Sequence, residues 1–317
     1  MNYKVTHCIK YMYSAPVSIC HNLLRVHPRQ THTQIVENHQ LTIHPTPDEM
    51  QQYQDCFGNR LCYSEISKPH ETMSISAESQ LQVAQVTTIE PHLTEPWDQL
   101  TSRLASELSP VVLNACQFIS ASRIIKPNAR LAEYARPSFT AGKPILEAAV
   151  EFASRLFDDF SYDASASTVS QDLGPSELLP HRRVRRVQPD SLGLAVNVVD
   201  DVLTHRLGKA ADLAHLYIGC LRSLGLAARC VSGYLRTVTP PGTTRPAGLD
   251  STHMWASVFC GADGWVDIDP TINAITSFDH IAVAWGRDFD EVCAMNGVFI
   301  GNAQATSSVT VDISSEG

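Results

Sequence analysis

Gly208-Lys209-Ala210-Ala211-Asp212-Leu213-Ala214-His215-Leu216-Tyr217 is the stretch on which the fold turns. Leu213, Leu216, Tyr217, Cys220, Leu221 and Leu224 recur at helical spacing, so the segment opens a helix with one apolar face, starting near Ala210. Gly225 tolerates the left-handed conformation that ends such a helix. Ala228-Arg229-Cys230-Val231-Ser232-Gly233-Tyr234-Leu235 then reads as a strand, followed by strands around Met254 to Phe259 and Trp265 to Asp269. Gly261-Ala262-Asp263-Gly264 supplies the turn between the last two. A helix packed on an antiparallel sheet is an α+β arrangement.

Upstream the period differs. From Tyr3 to about Ile89, turn residues cut the chain into short runs rich in β-branched and aromatic side chains: Tyr3 to Tyr13, Gln34 to Ile43 and Met73 to Val86. Phe57-Gly58-Asn59 is a hairpin turn, since Gly and Asn accept positive φ. This part is expected to be an antiparallel β-domain over residues 1–95. Residues 96–317 form a second domain, with a helical part at 96–160, a long connecting loop at 161–190 and a core at 191–295. Within the helical part, Pro144 precedes apolar residues at 145, 149, 152 and 156, an amphipathic helix with proline in its first turn.

Composition limits the function classes. The chain has 317 residues, 44% hydrophobic and 18% charged, with a formal net charge of -9. An acidic balance argues against a general nucleic-acid binder. The one basic run, His181-Arg182-Arg183-Val184-Arg185-Arg186, reads as a solvated loop. No apolar run has the length of a signal peptide or a membrane span, so a cytoplasmic location and no membrane partner are expected. Nine cysteines without paired metal spacing read as reduced, mostly buried thiols.

The helix start, together with Thr252-His253-Met254-Trp255 and Gly264-Trp265-Val266-Asp267-Ile268-Asp269-Pro270-Thr271, resembles the core of the bacterial transglutaminase-like proteins, a papain-like family that includes candidate cysteine proteases. The likeness extends to Val5-Thr6-His7, Tyr11 to Val17, Pro28-Arg29 and Asp55-Cys56-Phe57-Gly58-Asn59 near the start. It reaches Asp279-His280-Ile281 through Val292 and Gly297-Val298 near the end. It implies an amino-terminal β-domain followed by a transglutaminase-like core. It also implies cysteine-dependent acyl transfer: a thiol at the helix start, where the macrodipole favours thiolate, a histidine to exchange protons, and an acid to orient the imidazole.

The matching positions are Ala210, His253 and Asp269, with Trp255 expected to contact substrate. Ala210 stands where the family carries its cysteine, and a methyl group cannot attack a carbonyl. If His253 begins one strand and Asp269 ends its neighbour, the two side chains meet although sixteen positions apart. Lys209, Ala211, Leu213 and Cys293-Ala294 also depart from the family pattern, and clustered drift favours natural loss of the nucleophile over a single engineered change. Cys220, ten residues along the same helix, lies about 15 Å from Ala210 at 1.5 Å per residue and cannot substitute. Cys230 and Cys260 sit in apolar runs and read as inert.

Asp212 and His215 share a helical face, but without a third ligand at helical spacing His215 reads as a packed residue, and neither metal nor cofactor is expected. The expected function is therefore a transglutaminase-like cysteine protease or amidase homologue, catalytically impaired at Ala210, that retains a groove for a peptide or protein amide ligand. Alternatives are a partner-binding structural module, or an active enzyme of this fold, including a deliberately inactivated cysteine peptidase.

Overall fold

The computed structural model describes residues 1–84, 89–162, 184–187, 198–237 and 248–316. The first part supplies six strands: β1 (Asn2–Val17), β2 (Ile19–Leu24), β3 (Gln34–His44), β4 (Glu49–Gln54), β5 (Arg60–Ile66) and β6 (His70–Val83). Four helices follow, α1 (Trp97–Ser106), α2 (Pro110–Cys116), α3 (Ala129–Ala135) and α4 (Ile145–Asp159). Next come β7 (Ser161–Tyr162), β8 (Val184–Val187), α5 (Val198–His205), β9 (Leu207–Gly208) and α6 (Ala210–Ser223). The remainder comprises β10 (Ala228–Leu235), β11 (Ser251–Phe259), β12 (Trp265–Asp269), β13 (Ala274–Ile275), β14 (His280–Gly286), α7 (Phe289–Val292), β15 (Met295–Ile300) and β16 (Ala305–Glu316).

Three larger sheets result, with orders β16-β1-β6-β3, β4-β5-β2-β15-β8 and β13-β12-β11-β10-β14. All their pairings are antiparallel. The period-two pattern of β1 explains its place: Tyr3, Val5, His7, Ile9, Tyr11 and Tyr13 all point inward. Ile9, Tyr11, Val17, Leu24, Ile75 and Phe299 share a core formed by strands of the first two sheets. The amino-terminal half of β1 instead joins a second cluster, where Tyr3 and Val5 meet Tyr234, Ile281 and Val283 of the third sheet.

Successive residues of β10 and β11 are buried, so the middle of the third sheet is covered on both faces. One face, with Cys230, Met254, Ala256 and Val258, shares the largest core with α4 and α6. In α6 every residue from Leu213 to Arg222 is buried, consistent with a helix in the middle of a layered domain rather than on its surface. Gly225 ends it with φ +82°. Among the described residues, no helix is long and apolar enough to cross a membrane.

The expected loop at 161–190 contains paired backbone at both ends. Ser161–Tyr162 runs parallel to Leu207–Gly208, and Val184–Val187 pairs with β15, covering an edge that would otherwise expose unpaired main-chain groups. The rest of that stretch, His181 to Arg183 included, lies outside the described residues, as do Gln85 and Val86. The final strand β16 returns to pair with β1 from Tyr13↔Ala305 to Asn2↔Glu316, so the amino-terminal sheet contains both ends of the described chain.

A stack of side chains joins the early β-strands to the third sheet. Arg229 on β10 lies between two indoles, its Cζ 4.3 Å from the Trp265 ring centre and 3.7 Å from that of Trp285. Arg29 lies over Trp285 at 3.3 Å. Asn59 accepts the Trp285 backbone N–H at 3.0 Å and returns its amide N–H to the Trp285 carbonyl at 2.8 Å. Asp55 in turn accepts the backbone N–H groups of Phe57 and Asn59, each at 2.9 Å. The Asp55-to-Asn59 turn is thus a clasp on β14.

Candidate active site

The hairpin of β11 and β12 sets the geometry. Ala256 pairs with Ile268 and Ser257 with Asp267, which brings His253, near the start of one strand, beside Asp269 at the end of the other. The Asp269 carboxylate is fully buried and accepts four hydrogen bonds. Oδ2 receives His253 Nε2–H at 2.6 Å and His280 Nε2–H at 3.1 Å. Oδ1 receives the Thr271 backbone N–H at 2.9 Å and its hydroxyl at 2.6 Å. An ionised carboxylate only accepts, so both imidazoles must present a protonated Nε2 to it.

Burial works against this charge. The hydrogen bonds from His253 and His280, the nearness of His253 and the Thr271 hydroxyl together outweigh burial and hold the Asp269 carboxyl well below the usual carboxylate range. With Nε2 committed to Asp269, Nδ1 is the ring atom that carries the lone pair whenever His253 is neutral, the form a general base requires.

Ala210 is the first residue of α6 and is half-buried. The residue before it, Lys209, gives its backbone N–H to Asp212 Oδ2 at 3.0 Å, so Asp212 closes the first turn. A Cβ on Gly208 would come within 2.9 Å of the Asp212 Cβ, hence the glycine at this close approach. Gly208 pairs with Tyr162, and the Tyr162 hydroxyl is raised by burial and further by the Asp269 charge. Helix α6 packs in one core with Met254, Ala256 and Val258 of β11, the strand that carries His253.

Trp255, the residue expected to contact substrate, is 1% exposed and offers its indole N–H to Asp267 at 2.9 Å. Its ring packs edge-on against His280, with centres 5.2 Å apart, and nearly parallel to His253. His280 is the site residue that sequence spacing missed. The signal was only that it opens a strand within a stretch resembling the family.

One potential ligand atom from each of His253, Asp269 and His280 lies within 4.8 Å of the others, a spacing a cation could span. Their hydrogen bonding is that of a proton network instead. The Ser277 backbone N–H donates to His280 Nδ1 at 3.4 Å, which leaves the proton on Nε2 where a metal would need a lone pair. His215, the other histidine weighed as a ligand, is fully buried and accepts the Phe289 backbone N–H at 3.1 Å, a packing role. Burial pushes the thiols of Cys220, Cys230 and Cys260 up, away from the reactive thiolate.

The bacterial transglutaminase-like N-terminal region matches residues 3–82, and the transglutaminase-like superfamily core matches residues 186–270. Uncharacterized proteins of Mycobacterium bovis and Mycobacterium tuberculosis are each 33% identical over 98% of this chain and 92% of their own length. This chain belongs to the bacterial transglutaminase-like family. A further member, from Mycobacterium leprae, is 26% identical over 98% of the chain and 97% of its own length. The solved structure of a proposed cysteine protease from Cytophaga hutchinsonii superposes with a TM-score of 0.70, covering 99% of this chain and 90% of that one. At 20% identity that likeness concerns the fold. The transglutaminase-like chain thus joins a β-rich amino-terminal region to a mixed helix-and-sheet core, as its sequence pattern implied.

Proposed function

We propose that this transglutaminase-like chain is a catalytically impaired homologue of cysteine proteases or amidases, which keeps the proton-transfer pair and a groove for a peptide or protein amide. The observation that carries the reading is the contrast at the site. His253 is wired to Asp269 at 2.6 Å with no partner on its Nδ1 among the described residues, while a methyl group occupies the helix start at Ala210. Acyl transfer by the covalent route needs a nucleophile there, and the buried thiols of Cys220, Cys230 and Cys260 do not supply one. Loss of the nucleophile from a cooperating triad removes most of the rate and leaves binding and electrostatic stabilisation in place.

The test is Ala210→Cys. Alkylation by a small electrophile is followed against pH, with the unmodified protein as the control for its nine native thiols. The new thiol should titrate well below about 8.5 and react about tenfold faster at pH 7 than a free cysteine, an advantage lost when His253→Ala is added. An ordinary rate and an ordinary titration would overturn the reading. So would hydrolysis of an amide by the Ala210 protein that disappears in His253→Ala.

A further inference from the structure

His280 reaches the carboxylate from an unexpected direction. Its strand, β14, is separated from β12 by β10 and β11. The crossing is possible because position 233 on β10 carries no side chain. A Cβ there would stand 2.0 Å from the Ile281 carbonyl oxygen and 2.7 Å from the Trp255 ring. The β10–β14 register also shifts between Ser232 and Gly233. In the space so cleared, the Trp255 ring supports both imidazoles, edge-on to His280 at 80° and at 28° to His253.

The wiring of His280 is directional at both nitrogens. The Ser277 backbone N–H fills the Nδ1 lone pair, so the proton must sit on Nε2 and point at Asp269 Oδ2. A carboxylate offers roughly four acceptor directions, two per oxygen. Thr271 uses both on Oδ1, and the two histidines share Oδ2.

We propose that His280 is a positioning residue for His253: by occupying one lone-pair direction of Asp269 Oδ2, it confines His253 Nε2–H to the other and so fixes the direction of the His253 Nδ1 lone pair. The proposal rests on the reading of His253 and Asp269 as the retained proton-transfer pair. Oδ2 without His280 would have a vacant direction in a buried site, and the His253 ring could rock between two acceptor geometries.

The experiment is a long-range proton–nitrogen correlation spectrum of the histidine-labelled Ala210 protein, with the two rings assigned by signal loss in His253→Gln and in His280→Gln. Both rings should be found as the Nε2–H tautomer, each with a slowly exchanging low-field N–H. In His280→Ala the His253 N–H resonance should shift and broaden. In His280→Gln, whose amide can still donate to Oδ2, it should return toward its native position. A His280 ring protonated on Nδ1 instead of Nε2 would overturn the proposal in the native protein alone, whether or not His280→Ala folds. A His253 resonance unmoved by His280→Ala would reduce His280 to packing. No thiol is needed for this measurement, so its failure and a failure of Ala210→Cys to become reactive are separate outcomes.

Discussion

Asp269 and Arg229 are two buried charges on neighbouring parts of one sheet, and they are accommodated in opposite ways. Asp269 is surrounded by donors, with two imidazoles, a hydroxyl and a backbone N–H each aimed at a lone pair. Arg229 lies between the flat faces of Trp265 and Trp285, and its Nε has no hydrogen-bond partner among the described residues. Burial pulls Arg229 down to about 9 despite the opposing pull of Asp267, whereas the Asp269 carboxyl is driven below its usual range because its donors outweigh burial. Directional bonds fix an orientation, which proton transfer requires. Stacked faces fix a separation between layers, which packing requires.

The comparison is broken most directly by removing each charge while keeping its volume. Asp269→Leu leaves two imidazole N–H groups and the Thr271 donors buried without an acceptor, and should cost about 3–5 kcal/mol in urea unfolding. Arg229→Met keeps an unbranched chain between the two indoles and relieves a buried charge. Replacement of buried ions by apolar groups of like volume is often neutral, so the change should stay within about 1–2 kcal/mol, roughly the worth of a desolvated cation–π contact. Equal losses for the two variants would mean that Arg229 is held by directional bonds as well.

The pH dependence sharpens the same contrast, because a buried carboxylate among donors and buried neutral histidines lose stability in different windows. His7 and His215 are each lowered to about 4, chiefly by burial, with the Asp288 charge partly opposing this at His215. Unfolding lets each take a proton near its ordinary value of about 6.5, so the unfolded chain binds more protons and stability falls as pH drops from about 6.5 toward 4. Asp269 acts lower. Its folded value is depressed, so its contribution is complete above about 3.9 and is lost only as pH falls through the depressed value. His215→Gln, whose amide oxygen can still accept the Phe289 N–H, should flatten the slope between pH 6.5 and 4 in thermal melts and leave the more acidic limb unchanged.

Most of this architecture can be read from periodicity. The 3.6-residue spacing from Leu213 to Leu224 and the alternation of β10, β11 and β12 locate the helix and hairpin, and the hairpin alone brings His253 to Asp269. What periodicity does not carry is contact between strands that are not neighbours in sequence. His280 arrives across two intervening strands through the gap at Gly233, and no spacing encodes that gap. Alternation puts Trp255 on the face opposite Met254 and Ala256, but does not encode the contact its ring makes there with His280, which comes from a strand distant in sequence. The pairing of Val184–Val187 with β15 was equally hidden, since a four-residue run inside a polar stretch gives too short a pattern.

The smallest expected effect lies in the clasp that holds the arginine stack. Gly58 has φ +74°, a left-handed conformation, between Phe57, whose carbonyl accepts from Arg29 at 3.1 Å, and Asn59, which Arg29 also contacts. A methyl group there would stand 3.3 Å from Arg29 Nη2, tight but against the end of a long side chain able to give. Gly58→Ala should therefore cost about 1 kcal/mol, mostly from backbone strain, measured as a shift in the urea midpoint. If the stack acts only as a spacer, Gly58→Ala combined with Arg229→Met should cost the sum of the two single changes. A loss larger than the sum would mean that Arg29 and Arg229 support one another through Trp285, and the stack would then be a cooperative unit like the Asp269 cluster.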